Sequence, residues 1–198
     1  MKVRITAFVT LIAGALVLST ATLSSATAGS RRSGSAQLAS SQLASQQAQR
    51  VRLSLTPSSA ALAECFPQAT AKVTVDLKTD IIGKDRFTIV ASGLRPNTEY
   101  TVFLLEQAGA PFGAAEYIGD FGTDEDGSAA NTFKLIVEEA FAFNNVTQDR
   151  TDLNSVGFWF ADPADDDECL GAGSPVTGFD GDAEAGVQMM NSGSQLLP

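Results

Sequence analysis

From Ala71 onward, apolar residues recur at every second position in short runs, and each run ends at a turn signal. Ala71-Lys72-Val73-Thr74-Val75-Asp76-Leu77-Lys78 alternates strictly and sets Val73, Val75 and Leu77 on one face. That period is the mark of a half-buried β-strand. Five further runs follow: 85–92, 98–106, 116–123, 131–138 and 155–162. The third run along the chain, TEYTVFLLE, is apolar on both faces and belongs in the middle of a sheet; the next-to-last directs Phe133, Leu135 and Val137 inward. A seventh strand fits residues 186–191. Asp124-Glu125-Asp126-Gly127 separates two runs, and its glycine suits the left-handed position of a short hairpin loop. No long amphipathic helix interrupts the series. The expectation is an all-β chain folded as an antiparallel sandwich.

The N-terminal residues read differently. Lys2 and Arg4 precede an apolar stretch from Ala7 to Leu18, too short to span a bilayer core of roughly 30 Å as a helix. Ala26-Thr27-Ala28 then supplies the small-x-small pattern of a secretory signal, so 1–28 is read as a signal peptide and the protein as secreted, with no membrane insertion after cleavage. Residues 29–59 read as a flexible spacer rich in Ser, Ala and Gln, in which Arg50 to Thr56 alternates enough for an edge strand. Residues 60–198 form the β-domain. Export places Cys65 and Cys169 in an oxidising space, and their pairing would close a loop of 104 residues. Chain entropy gives such a cross-link about 4–5 kcal/mol.

Charge and composition exclude several functions. From Leu53 onward seven bases stand against all 23 acids of the chain, a surface that repels nucleic acid and anionic membranes and favours cations and basic partners. There is no histidine, which removes Ser-His-Asp and Cys-His catalysis and His-ligated zinc.

Leu94-Arg95-Pro96-Asn97-Thr98-Glu99-Tyr100 reads L-x-P-x-T-x-Y. This resembles the inter-sheet corner of fibronectin type III and related immunoglobulin-like domains. The resemblance implies that Leu94 packs under the corner, that Pro96-Asn97 turns the chain, and that the Tyr100 hydroxyl bonds back to the backbone as a tyrosine corner. The stretch from this corner through PFGAAEYIGDFGTDEDGS to the acidic tail is similar to uncharacterised secreted bacterial proteins. It implies an immunoglobulin-like sandwich outside the cytoplasm, and no activity.

Three stretches can carry chemistry. In the first, Asp162, Asp165, Asp166 and Asp167 follow a strand, and Asp180, Asp182 and Glu184 form a second acidic run. Hard carboxylate oxygens suit calcium, which needs about six to eight oxygen ligands. The second run is not an EF-hand, because its sixth and twelfth positions are Ala185 and Asn191. Solvated turns carrying negative charge are the plainer explanation of both runs; no cofactor is required, and calcium is an optional stabiliser. In the second stretch, Glu138, Glu139 and Asp162 are candidate acids for a hydrolase, which needs two carboxyls roughly 5–10 Å apart. Adjacent Glu138 and Glu139 would face opposite ways on a strand, and nothing pairs the others by spacing. In the third, Trp159 and Tyr117 can offer a platform to a sugar ring, or the single Trp can lie over the core, pointing away from Phe158 and Phe160. Phe141 and Phe143 read as core plugs. The resulting expectation is a secreted, non-catalytic domain of binding or structural role, with an extracellular protein or glycan as partner; a carbohydrate-binding module is the alternative, and a carboxylate-dependent hydrolase comes third.

Overall fold

The computed structural model describes residues 50–78, 83–178 and 184–198. The signal and spacer readings for 1–49, and the candidate ligands Asp180 and Asp182, lie outside the described residues. Ten strands run β1 (Arg50–Pro57), β2 (Thr70–Asp76), β3 (Asp85–Ser92), β4 (Glu99–Leu105), β5 (Ala115–Gly122), β6 (Ala129–Leu135), β7 (Phe141–Asn144), β8 (Asp149–Asp152), β9 (Ser155–Phe160) and β10 (Gln188–Asn191). The described residues also hold two short helices, α1 (Ala60–Cys65) and α2 (Asp167–Leu170), and a 3-10 turn at Pro163–Asp165. No helix among the described residues is long and apolar enough to cross a membrane.

Eight strands form one antiparallel sheet in the order β5-β4-β9-β10-β1-β2-β3-β6, and β7-β8 form a separate hairpin. The expected pair of separate sheets is thus one nearly closed sheet. The physical reason is β1. Its first part pairs with β2, from Arg50 opposite Asp76 to Leu55 opposite Ala71. Its end then pairs with β10, Thr56 opposite Asn191 and Pro57 opposite Met190. One strand therefore serves both layers, and β1 is an interior strand, not the edge strand expected. On the far side β5 approaches β6 without a ladder among the described residues: the Asn131 amide donates to the Asp120 carbonyl at 2.9 Å, and a Cβ at Gly119 would strike the Phe133 ring.

The period-two pattern delivers the core. Leu53, Val73, Val75, Phe87 and Ile89 from one layer meet Tyr100, Val102, Leu104, Phe158 and Phe160 from the other. A buried side chain of this size contributes about 1.5–3 kcal/mol relative to exposure, so these residues dominate the stability. Tyr100 lies against the rings of Phe121, Phe158 and Phe160, each with its centroid 5.2–5.4 Å away. The corner has the implied geometry. Leu94 is buried, and the Arg95 amide donates to the Tyr100 hydroxyl at 3.3 Å. Burial pushes the Tyr100 phenol well above its ordinary range, only partly offset by that amide. Thr123 Oγ1 donates to the Arg95 carbonyl at 2.6 Å, which ties the corner to the turn after β5. That turn holds Gly127 at φ +71°, where a Cβ would strike the Leu94 carbonyl. It joins strands that pair elsewhere, β5 with β4 and β6 with β3, so it is a corner and not the hairpin expected.

One further element appears and one expectation changes. Ala60–Cys65 is helical: Ser59 Oγ accepts from the Leu62 amide at 3.2 Å, and only Leu62 of the six is buried. Phe141 and Phe143 are 45% and 46% exposed. The hairpin turns the small Ala142 toward the core and both rings outward, where the Arg150 guanidinium covers Phe141 at 4.3 Å.

Candidate functional site

The disulfide forms between Cys65 and Cys169, with Cα atoms 5.8 Å apart. It fastens α1 to α2 and thereby sets the acidic run 162–168 against the body of the domain. Each carboxylate of the run has an identified place. Asp162 caps the 3-10 turn, accepting from the Ala164 amide at 2.8 Å. Asp165 pairs with Arg95 Nη1 at 2.8 Å, and the same nitrogen donates to the Asp165 carbonyl at 2.6 Å. Burial raises the Asp165 carboxyl above the usual range; Arg95 opposes this, and Asp162 and Asp166 add to it. Asp166 is fully buried, accepting from the Val187 amide at 2.8 Å and from the Ser174 hydroxyl. Asp167 and Glu168 occupy the first turn of α2, where the positive end of the helix favours acids. Glu184 is exposed near the Thr177–Ala185 bridge. Among the described residues no three acidic side chains gather in a metal-binding group.

Arg95 was only a spacer in the corner motif, yet it holds the acidic run from 70 residues away in sequence. Asp85 was equally invisible as a functional residue. It is 1% exposed and accepts from the backbone amides of Lys78 at 2.6 Å, Val137 at 2.8 Å and Glu138 at 3.2 Å.

The aromatic pair does not form a platform. Trp159 points away from Phe158 and Phe160 as expected, but it is fully buried in a second small cluster with Phe103, Leu105 and Ala185. Phe112 covers it edge-on, ring centroids 5.0 Å apart. A register shift at Val102/Phe103 turns Tyr117 to the same outer face, where it is 50% exposed and donates to Asp120 Oδ2 at 2.7 Å. A cleft of about 470 Å³ lies between α1, the 109–112 loop and β10, walled by Leu62, Phe112, Leu170 and Val187 and rimmed by Ser59 and Asn191.

The outer face of β1, β2, β3 and β6 is quite different. Here the polar half of each alternating strand points outward in register. One row runs Arg50, Asp76, Arg86, Lys134, and the next runs Arg52, Thr74, Thr88, Thr132. Lys72 stands in the row beyond, between Ser54 and Val90. Five bases share this face with one acid, Asp76, which is spent on Arg50 at 2.5 Å. Among the described residues the other four bases make no ion pair. A chain of net charge −10 thus carries a basic face.

No known protein family matches the chain, and no curated protein is similar enough to it to count as a relative.

Proposed function

We propose that this is an exported, disulfide-stapled β-domain that works by binding and not by catalysis. The observation that carries the reading is the sorting of charge. Asp162, Asp165 and Asp166 are engaged by amides, a hydroxyl and Arg95, which leaves them bound up in holding structure, whereas among the described residues four bases on one sheet face make no ion pair. Opposed charge on a rigid surface is the ordinary basis of partner selection. The disulfide supports an oxidising compartment and agrees with a signal peptide over 1–28. The fold is read as a closed variant of the immunoglobulin-like sandwich, on the strength of its tyrosine corner. Calcium, in this reading, would at most brace the run 162–168 against Asp180, Asp182 and Glu184.

The glycan alternative now has Tyr117 without Trp159, so sugar stacking on a coplanar pair has no support. The test has two arms. The exported protein should begin at Gly29 by N-terminal sequencing; retention of residues 1–28 would count against export. The oxidised chain should turn over none of a panel of chromogenic glycosides and esters. Turnover that disappears on changing Asp162, Glu138 or Glu139 to the amide would overturn the binding reading.

A further inference from the structure

The basic plane has a geometry that selects its partner. Adjacent strands lie about 4.8 Å apart and same-face residues along a strand about 7 Å apart. Arg86 and Lys134 are direct cross-strand neighbours, and Arg50 to Lys134 spans four strands, about 14 Å. Arg52 and Lys72 extend the charge sideways over the next two rows. Thr74, Thr88 and Thr132 share the row of Arg52, between the Arg86–Lys134 row and Lys72, with the Thr88 and Thr132 hydroxyls bonded to each other at 3.1 Å. Positive side chains are therefore spread over a four-strand face and interleaved with hydroxyls, instead of converging on one point as they would for a single phosphate.

We infer that this face binds an acidic polysaccharide, its carboxylate or sulfate groups on Arg52, Lys72, Arg86 and Lys134 and its sugar hydroxyls on the threonine row. The inference rests on the binding reading and names its partner. Charge complementarity calls for a polyanion. The outward residues of the face are Arg, Lys, Thr, Ser, Val and Ala with Asp76, so it offers no aromatic ring for stacked bases, which single-stranded nucleic acid exploits. A face four strands wide is also too broad for the major groove of a duplex, which admits a helix or a two-stranded ribbon. The acidic remainder of the molecule repels a polyanion everywhere else, which confines contact to this plane and makes binding sensitive to salt.

The experiment uses the oxidised, full-length secreted chain and titrates it at low ionic strength with heparin as the sulfated probe, polygalacturonate as the carboxylated one and dextran as the neutral control. Binding to at least one anionic probe and none to dextran is expected, and the two anionic arms tell sulfate from carboxylate. The double variant Arg86→Gln/Lys134→Gln should weaken it about tenfold or more, while Arg150→Gln, on the separate hairpin, should leave it unchanged. All positions are exposed, so the fold should persist; melting curves check this. Absence of binding by the folded protein would overturn the inference and leave the non-catalytic reading standing. Equal weakening by Arg150→Gln would overturn it as well. Self-association in sedimentation that Arg86→Gln/Lys134→Gln abolishes would reassign the face to the acidic surface of a second copy. Cleavage of the probe would instead sink the non-catalytic reading while supporting the site.

Discussion

Replacing Asp85 by alanine should be among the most damaging single changes available to this chain. The side chain is buried and clamps three backbone amides, from the end of β2 and from the segment just past β6. A hydrogen bond to a charged acceptor contributes about 1.5–3 kcal/mol net, and a buried donor left unmet costs about 1–3 kcal/mol. The Val137 amide is buried, and those of Lys78 and Glu138 are partly so, which admits some water to two of the three. The loss then comes to about 3–5 kcal/mol, a large part of the about 5–15 kcal/mol that holds a domain together. For a chain of this size that is about 10 °C in Tm. Urea unfolding followed by Trp159 fluorescence measures it. Asp85→Asn, which keeps one acceptor oxygen, should lose about half as much. A cost below about 1 kcal/mol for Asp85→Ala would refute the reasoning, because it would mean the three amides are equally well served by solvent.

Other consequences can be measured in the same way. Reducing the Cys65–Cys169 bond, or replacing both residues by serine, should cost about 2–5 kcal/mol given the 104-residue loop it closes, read as a lower urea midpoint. The Asp165 carboxyl is raised in the folded state, so the native form binds its proton first. Its stabilising contribution is then full below the ordinary carboxylate range and is lost as pH rises through the folded value; wild type should gain on Asp165→Asn as pH falls, and a constant gap would contradict this. The Tyr100 phenol is also raised, so its contribution holds below the ordinary phenol range and fades as pH rises above it. Phenolate absorbance from Tyr100 should appear only together with unfolding, and Tyr100→Phe should delete that step at a cost of about 1 kcal/mol at neutral pH. Millimolar calcium against EDTA should move Tm by less than about 2 °C; a site filled to 100 times its dissociation constant would add about 2.7 kcal/mol and a clearly larger shift.

What was legible in the sequence followed from periodicity. Asp85–Ser92 alternates between buried and exposed along its whole length, and the consecutive Phe158, Trp159 and Phe160 divide between two clusters because neighbouring side chains on a strand oppose each other. Other features escaped because the pattern is blind to them. Alternation looks the same on an edge strand and on an interior one, so Arg50–Pro57 could not announce partners on both sides. Six residues are too few to show a helical period, and Ser59 before Ala60-Ala61-Leu62 was the only sign of α1. In FAFN the alternation is real, but it does not say which set faces inward, and here Ala142 packs on the core while both rings are exposed. An acidic run reads alike whether it awaits a metal, water or an arginine, and Arg95 lies far away in sequence. Net charge was plain, whereas the basic plane was not: Arg52, Lys72, Arg86 and Lys134 look scattered until strand register lines them up.

The handover of β1 from β2 to β10 has a consequence for the order of events. The first strand of the domain cannot complete its pairing until the last strand exists, and the tail then locks it, Gln195 exchanging two hydrogen bonds with the Ser54 backbone at 2.8 and 3.0 Å. A chain emerging from its N-terminus therefore has β2 available to β1 early, but leaves the Thr56–Pro57 end unmatched until nearly all of it has appeared. Closing such a long loop is slow, because its entropy is lost before the contacts form. The nearly closed sheet is then completed in a late, whole-chain step, and removing residues 188–198, β10 with the tail, should leave an open β1 edge, the kind of surface on which like chains join.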